Sequence, residues 1–164
     1  MNNIYLCGFM GCGKSTIGKA VAVLTKSGFV DTDNYIEQEH NMTIKEIFAK
    51  YGEGHFRELE RCACCEIALK DNMIVSLGGG TVLDSKNVEV LKQGGKIIFI
   101  DTSLEIIKQR LSNDTDRPLL QNSDKNYIDD LYNYRYPIYR RVADVIIDGS
   151  GMTGDIIKML KKLI

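Results

Sequence analysis

The sequence predicts one α/β domain, a parallel β-sheet sandwiched between two layers of helices. Three observations carry that prediction. Short apolar runs alternate with helical patterns from one end of the chain to the other. The runs are close to continuously apolar, as strands covered on both faces are. The length of 164 residues suits one hydrophobic core rather than two.

Taken in order, "IYLCG" (4–8) reads as a first strand, and Ile17, Val21 and Leu24 then recur at helical spacing. "GFVDTD" is a short second strand ending in acids. Residues 34–51 and 54–70 read as two helices separated by the glycines of "YGEG". "NMIVSL" is a third strand, "KIIFID" (96–101) a fourth and "ADVIID" (143–148) a fifth. Leu104, Ile107 and Leu111 share one helical face, and a further helix begins near Tyr127. Met152, Ile156, Met159, Leu160 and Leu163 form the apolar face of the last helix. The exception is "SNDTDRPLLQNSD" (112–124), which is polar, has no clear period and is too long for an ordinary turn. It reads as a functional lid or a disordered loop.

Composition narrows the function classes. An apolar fraction of 44% with 26% charged residues is ordinary for a globular domain. A formal net charge of -1 argues against a general nucleic-acid or anionic-membrane binder, so anion recognition must come from a few placed side chains. No basic leader precedes an apolar run and no segment is long enough to span a bilayer, so the expected location is the cytoplasm. The five cysteines form an odd set without disulfide-like spacing, which fits free thiols. "CACC" lacks the second ligand group of a metal cluster and reads as small residues on a helix.

The chemistry begins at "GFMGCGKST" (8–16), which matches G-x-x-x-x-G-K-[ST] between a strand and a helix. In such a P-loop, backbone N–H groups of Gly11, Cys12, Gly13, Lys14, Ser15 and Thr16 wrap the phosphates of a nucleoside triphosphate at the positive end of the helix. Lys14 is placed to reach the β- and γ-phosphates and the Ser15 hydroxyl to ligate Mg²⁺. Cys12 lies at a helix N-terminus, which favours a thiolate and predicts oxidation sensitivity. The third strand ends in "SLGGG" without the acid that commonly binds Mg²⁺ there, and N-K-x-D is absent. The acids stand instead after strand two, at Asp31 and Asp33. In a strand-end loop these two point the same way, one toward the metal through water and the other toward an acceptor hydroxyl. The alternative is that they cap the following helix.

Arginines mark an acceptor anion. Arg57, in "GHFRELE", is three residues before Glu60, and an i,i+3 ion pair would orient its guanidinium. Arg135 lies on the apolar stripe of its helix, seven residues after Ile128, with no matching acid in that turn. A ligand carboxylate or phosphate is the natural partner, and a snorkelling surface arginine the alternative. Arg117, in "DRPLL", sits in the expected lid, where it would neutralise charge on a transferred phosphoryl group. Arg110 either stacks on a nucleobase or caps its helix C-terminus. His40 and His55 have no partner pattern and read as surface or helix-end residues. The three glycines 78–80 need a reason, because ordered glycine costs backbone entropy. They read either as a slack linker or as a rigid loop at the carboxyl edge of the sheet, where the backbone comes very close to a ligand.

Together "GFMGCGKSTIGKAVA", "FVDTDNYIE", "IFAKYGEGHFRELE", "VSLGGGTV", "DRPLL" and "YRYPIYRRVAD" resemble the shikimate kinase family in order and spacing, over essentially the whole chain. The resemblance implies a P-loop kinase fold with a five-stranded parallel sheet in the order 2-3-1-4-5. It implies one domain over 1–164, acceptor binding within about 32–61 and a lid over about 112–124. The implied reaction is ATP- and Mg²⁺-dependent phosphorylation of the shikimate 3-hydroxyl, on the route to chorismate and the aromatic amino acids, by a monomer. It further implies that Asp33 binds the acceptor hydroxyls and acts as base, that Arg57 and Arg135 bind the carboxylate, and that Gly79 and Gly80 lie beside the substrate. Arg117 would be the lid arginine, Asp31 would act on Mg²⁺ through water, and Arg110 would lie by the adenine. A kinase for gluconate or a nucleoside monophosphate, and a non-catalytic nucleotide-binding regulator, are the alternative readings.

Overall fold

The computed structural model describes residues 2–112 and 126–164. Its five strands are β1 (Asn3–Cys7), β2 (Gly28–Asp31), β3 (Met73–Ser76), β4 (Gly95–Asp101) and β5 (Val145–Asp148). All pair in parallel, in the spatial order β2-β3-β1-β4-β5. The helices are α1 (Lys14–Thr25), α2 (Thr32–His40), α3 (Ile44–Ala68), α4 (Ser85–Gly94), α5 (Leu104–Ser112), α6 (Tyr127–Val142) and α7 (Thr153–Lys161), with a 3₁₀ turn over Thr81–Leu83.

Alternation along the central strands divides the core in two. Tyr5, Cys7, Val75, Ile97 and Phe99 point to one face, against Ile47, Phe56, Cys64 and Ile67 of α3, Leu91 of α4 and Tyr139 of α6. Ile4, Leu6, Ile74, Ile98 and Ile100 point to the other, against Ile17 and Val21 of α1 and Ile156 and Leu160 of α7. Each such side chain contributes roughly 1.5–3 kcal/mol on burial, so these interdigitated rows hold the layers together. Burial on both faces holds for β1 and β4; the edge strands β2 and β5 are each four residues long and partly exposed. Short edges limit the open ladder offered to other chains.

Three expectations need correction. The helix expected over 34–51 is two helices, because Asn41 ends α2 in the left-handed conformation (φ 50°) and Thr43 starts α3. Thr43 and Glu46 form a reciprocal capping box, in which the Thr43 hydroxyl accepts from Glu46 N–H and the Glu46 carboxylate accepts from Thr43 N–H. The glycine break before residue 54 survives as a kink at Gly52 (φ 82°) rather than a gap. On the last helix only Ile156 and Leu160 of the five apolar residues are buried, while Met152, Met159 and Leu163 face outward. Their apolar character there is not explained by packing among the described residues.

Candidate active site

The carboxyl ends of β1, β2 and β3 open into a cleft of about 590 Å³. Such an edge is where open parallel sheets bind ligands. Residues 10–17 line its centre, Asp31, Asp33 and Ser76–Gly79 one end, and Arg110, Thr153 and Ile156 the other.

The P-loop runs from β1 into α1 through positive φ at Gly11 (78°) and Gly13 (97°), angles that a side chain would oppose. Gly13 is the N-cap of α1, so the amides of the first turn face the cleft. Lys14 is nearly buried; its ammonium donates to the carbonyls of Gly8 (2.8 Å) and Phe9 (3.1 Å), close to where phosphate oxygens would compete for it. Cys12 has no exposure, its side chain packed among Ile17, Ile98 and Ile100. Burial of the sulfur opposes the oxidation sensitivity expected of its thiol.

Ser15, Asp31 and Ser76 gather at one point. The Ser15 hydroxyl donates to Asp31 Oδ2 at 2.6 Å and lies 3.0 Å from Ser76 Oγ. Asp31 and Ser76 are opposite each other in the β2–β3 register. Asp31 Oδ1 also accepts from the amides of Asp33 and Asn34, so it caps α2 and reaches the P-loop at once. Hard oxygen donors in this number suit Mg²⁺, which takes one or two protein groups and completes its shell with water and phosphate. Among the described residues no three His, Cys, Asp or Glu side chains form a protein-only metal cage, "CACC" included.

Asp33 is not a strand-end residue as expected; it lies in the first turn of α2, which Asp31 starts by capping. It still faces the cleft beside Gly78. Burial, with Asp31 and Glu60 adding repulsion and Lys14 opposing, pushes its carboxyl up to about 6.

The three glycines answer to three side chains. A Cβ on Gly78 would lie 2.5 Å from Asp33 Oδ1, one on Gly79 3.2 Å from Arg135 Nη1, and one on Gly80 2.6 Å from Arg57 Nη1. None of the three has positive φ, so close approach and not backbone conformation demands glycine here. Arg57 is held by Glu60 at 2.9 Å, the i,i+3 pair expected, and by Glu53 at 3.0 Å. Buried Glu60 also accepts from Thr81 Oγ1 at 2.6 Å, which ties α3 to the end of the glycine loop. Arg135 Nε is buried without a hydrogen-bond partner among the described residues, a donor left for a ligand.

Arg110 donates to the carbonyls of Gly11 and Cys12 (3.4 and 3.3 Å) and of Gly149 (3.4 Å), so it joins the P-loop to the turn after β5 at the far end of the cleft. Its helix-capping alternative has no such bond among these contacts. Arg117 and the expected lid over 112–124, apart from Ser112 at the end of α5, lie outside the described residues. His40 is exposed at the end of α2, and His55 packs against Tyr51 away from the cleft. Sequence reasoning missed Ser76, Thr81 and Tyr139, and gave Glu60 only an ion-pair role. Serine, threonine and tyrosine in apolar runs carry no local signal; their function comes from what the fold sets opposite them.

A family profile described as Shikimate kinase matches residues 10–164. The chain is 44% identical over 156 residues to a shikimate kinase of Thermoanaerobacter pseudethanolicus, covering 94% of this chain and 91% of that one. It is 41% identical to a shikimate kinase of Clostridium botulinum, covering 99% and 97%. A structure of shikimate kinase from Acinetobacter baumannii in complex with shikimate superposes with TM-score 0.89 at 36% identity, covering 99% of this chain and 92% of the other. A gluconokinase of Sinorhizobium meliloti, at TM-score 0.58 and 16% identity, shares the fold alone.

Proposed function

This chain belongs to the shikimate kinase family, and from that membership together with the cleft we infer that it transfers the γ-phosphoryl group of ATP to the 3-hydroxyl of shikimate. The enzyme is a shikimate kinase, and its reaction is a step of aromatic amino-acid biosynthesis. The observation that carries the site reading is the glycine loop. Within three consecutive residues it meets a carboxyl and two guanidinium groups, the set needed for a hydroxylated carboxylate.

The geometry supports the following division of labour. The P-loop amides of 11–16 and the Lys14 ammonium hold the triphosphate. Ser15 and Asp31, the latter through water, would hold Mg²⁺, which would supply positive charge against that of the phosphates. Arg57 and Arg135, flanking Gly80 and Gly79, take the shikimate carboxylate. Asp33 orients the acceptor hydroxyl and accepts its proton, a task suited to a carboxyl whose affinity for protons is raised. Because phosphoryl transfer leaves little covalent work to the protein, this fixed placement of acceptor against donor is the main contribution. The proposal extends to Arg117 in charge neutralisation, Arg110 at the adenine end, and residues 1–164 as one domain acting as a monomer. Among the described residues no helix is long and apolar enough to cross a membrane.

Incubation with Mg-ATP and shikimate, followed by phosphorus NMR of the product, tests the assignment. A phosphorus signal coupled to the proton on carbon 3 is expected. Phosphate on another hydroxyl, or none on shikimate, would overturn it.

A further inference from the structure

The glycine loop is fixed through its carbonyls. Thr81 N–H donates to Gly78 O at 3.1 Å, Leu83 N–H to Gly80 O at 3.0 Å, and Gly78 N–H is itself taken by Thr32 Oγ1 at 2.8 Å. The remaining carbonyl, Gly79 O, has a side-chain donor: the Tyr139 hydroxyl, at 2.6 Å. After this accounting the amides of Gly79 and Gly80 have no acceptor among the described residues. Both glycines are only partly buried, so these two amides are open to donate to a ligand oxygen.

A trans peptide is planar, and its C=O and N–H point in opposite directions. The bond from Tyr139 to Gly79 O therefore sets the plane of the peptide joining Gly79 to Gly80, and with it the direction of the Gly80 N–H. The tyrosine is itself immobile. It is buried, and its ring packs on Phe99 at 5.3 Å between centroids. It stands one helical turn beyond Arg135 on α6, so one helix face supplies both a guanidinium beside Gly79 and the clamp on its carbonyl.

Resting on the shikimate-kinase reading above, we propose that Tyr139 is a positioning residue for acceptor binding, its hydroxyl orienting the Gly79–Gly80 peptide so that the amides meet substrate oxygens. It touches no reacting atom. Burial holds its phenol above the ordinary range, so it remains a donor throughout the working pH.

The test is Tyr139→Phe, which keeps the ring and removes the hydroxyl. The expected result is a shikimate KM raised about tenfold, equivalent to about 1.4 kcal/mol, with kcat and the ATP KM within about twofold. Phe99→Leu serves as the packing control and is expected to lower Tm while leaving the shikimate KM within about twofold. A Tyr139→Phe enzyme with unchanged shikimate KM would overturn the proposal, as would a parallel rise in the ATP KM or an equal rise in Phe99→Leu. In the unsubstituted protein the Gly80 amide resonance is expected to move on addition of shikimate, and a stationary resonance would also overturn it, whether or not the variant folds. Absence of shikimate turnover by the unsubstituted enzyme would instead sink the functional reading, and this one with it.

Discussion

Asp33, the proposed base, is half-buried near Asp31 and Glu60. Its carboxyl binds a proton more tightly in the folded protein, at about 6, than the ordinary value of 3.8. The folded state thus gains from the proton at low pH, fully below 3.8, and loses that gain as pH rises through about 6. Above that point the ionised group costs on the order of 1–3 kcal/mol. Asp33→Asn is therefore expected to raise Tm at pH 8 relative to the unsubstituted protein, with the advantage shrinking toward pH 4. The same substitution should lower kcat by about 10²-fold or more, and unsubstituted kcat/KM should climb as pH passes about 6. Melting curves and pH–rate profiles check both. Arg57 is proposed for the acceptor end alone, so Arg57→Ala should raise the shikimate KM by about tenfold or more and leave ATP affinity within about twofold. At Gly80 the added methyl would meet Arg57 Nη1 at 2.6 Å, a guanidinium already pinned by Glu53 and Glu60. Gly80→Ala should accordingly act like a weaker Arg57→Ala, raising the KM for shikimate but not for ATP.

At the scale of elements, the strands and most helices were legible because their signals are local: apolar runs, helical spacing, and glycine at breaks. The break at 41–43 was equally local, since Asn41 and the Thr43–Glu46 box are ordinary stop and start signals, but the apolar period running through Met42 and Ile44 masked them. Thr43→Ala should cost about 1 kcal/mol by loss of that cap, measurable by denaturant unfolding. Helix α3 also explains "CACC". Cys64 faces the core, while Cys62 and Cys65 are exposed. A thiol reagent should therefore label those two in the native protein, and Cys7, Cys12 and Cys64 only after unfolding. Early labelling of Cys12 would restore the oxidation-sensitive reading that its burial opposes.

For the molecule as a whole, the P-loop could be read from a contiguous motif, whereas the acceptor floor could not. Asp33, Arg57, Gly78–Gly80 and Arg135 come from α2, α3, the loop after β3 and α6, and only the parallel pairing of β2, β3, β1 and β4 brings them together. Spacing could nominate each of them; the family resemblance supplied their grouping. Tyr139 escaped even that, because a tyrosine on an apolar helical stripe looks like packing until its hydroxyl is found on Gly79 O. The two ends of the cleft predict separable behaviour, with nucleotide binding governed by 11–16 and acceptor choice by the glycine floor. The most direct measurement of that claim is ATP turnover by the purified protein with shikimate, gluconate, AMP and CMP in parallel. Shikimate is predicted to be the acceptor by a wide margin in kcat/KM; equal or greater turnover with any of the other three would contradict the account.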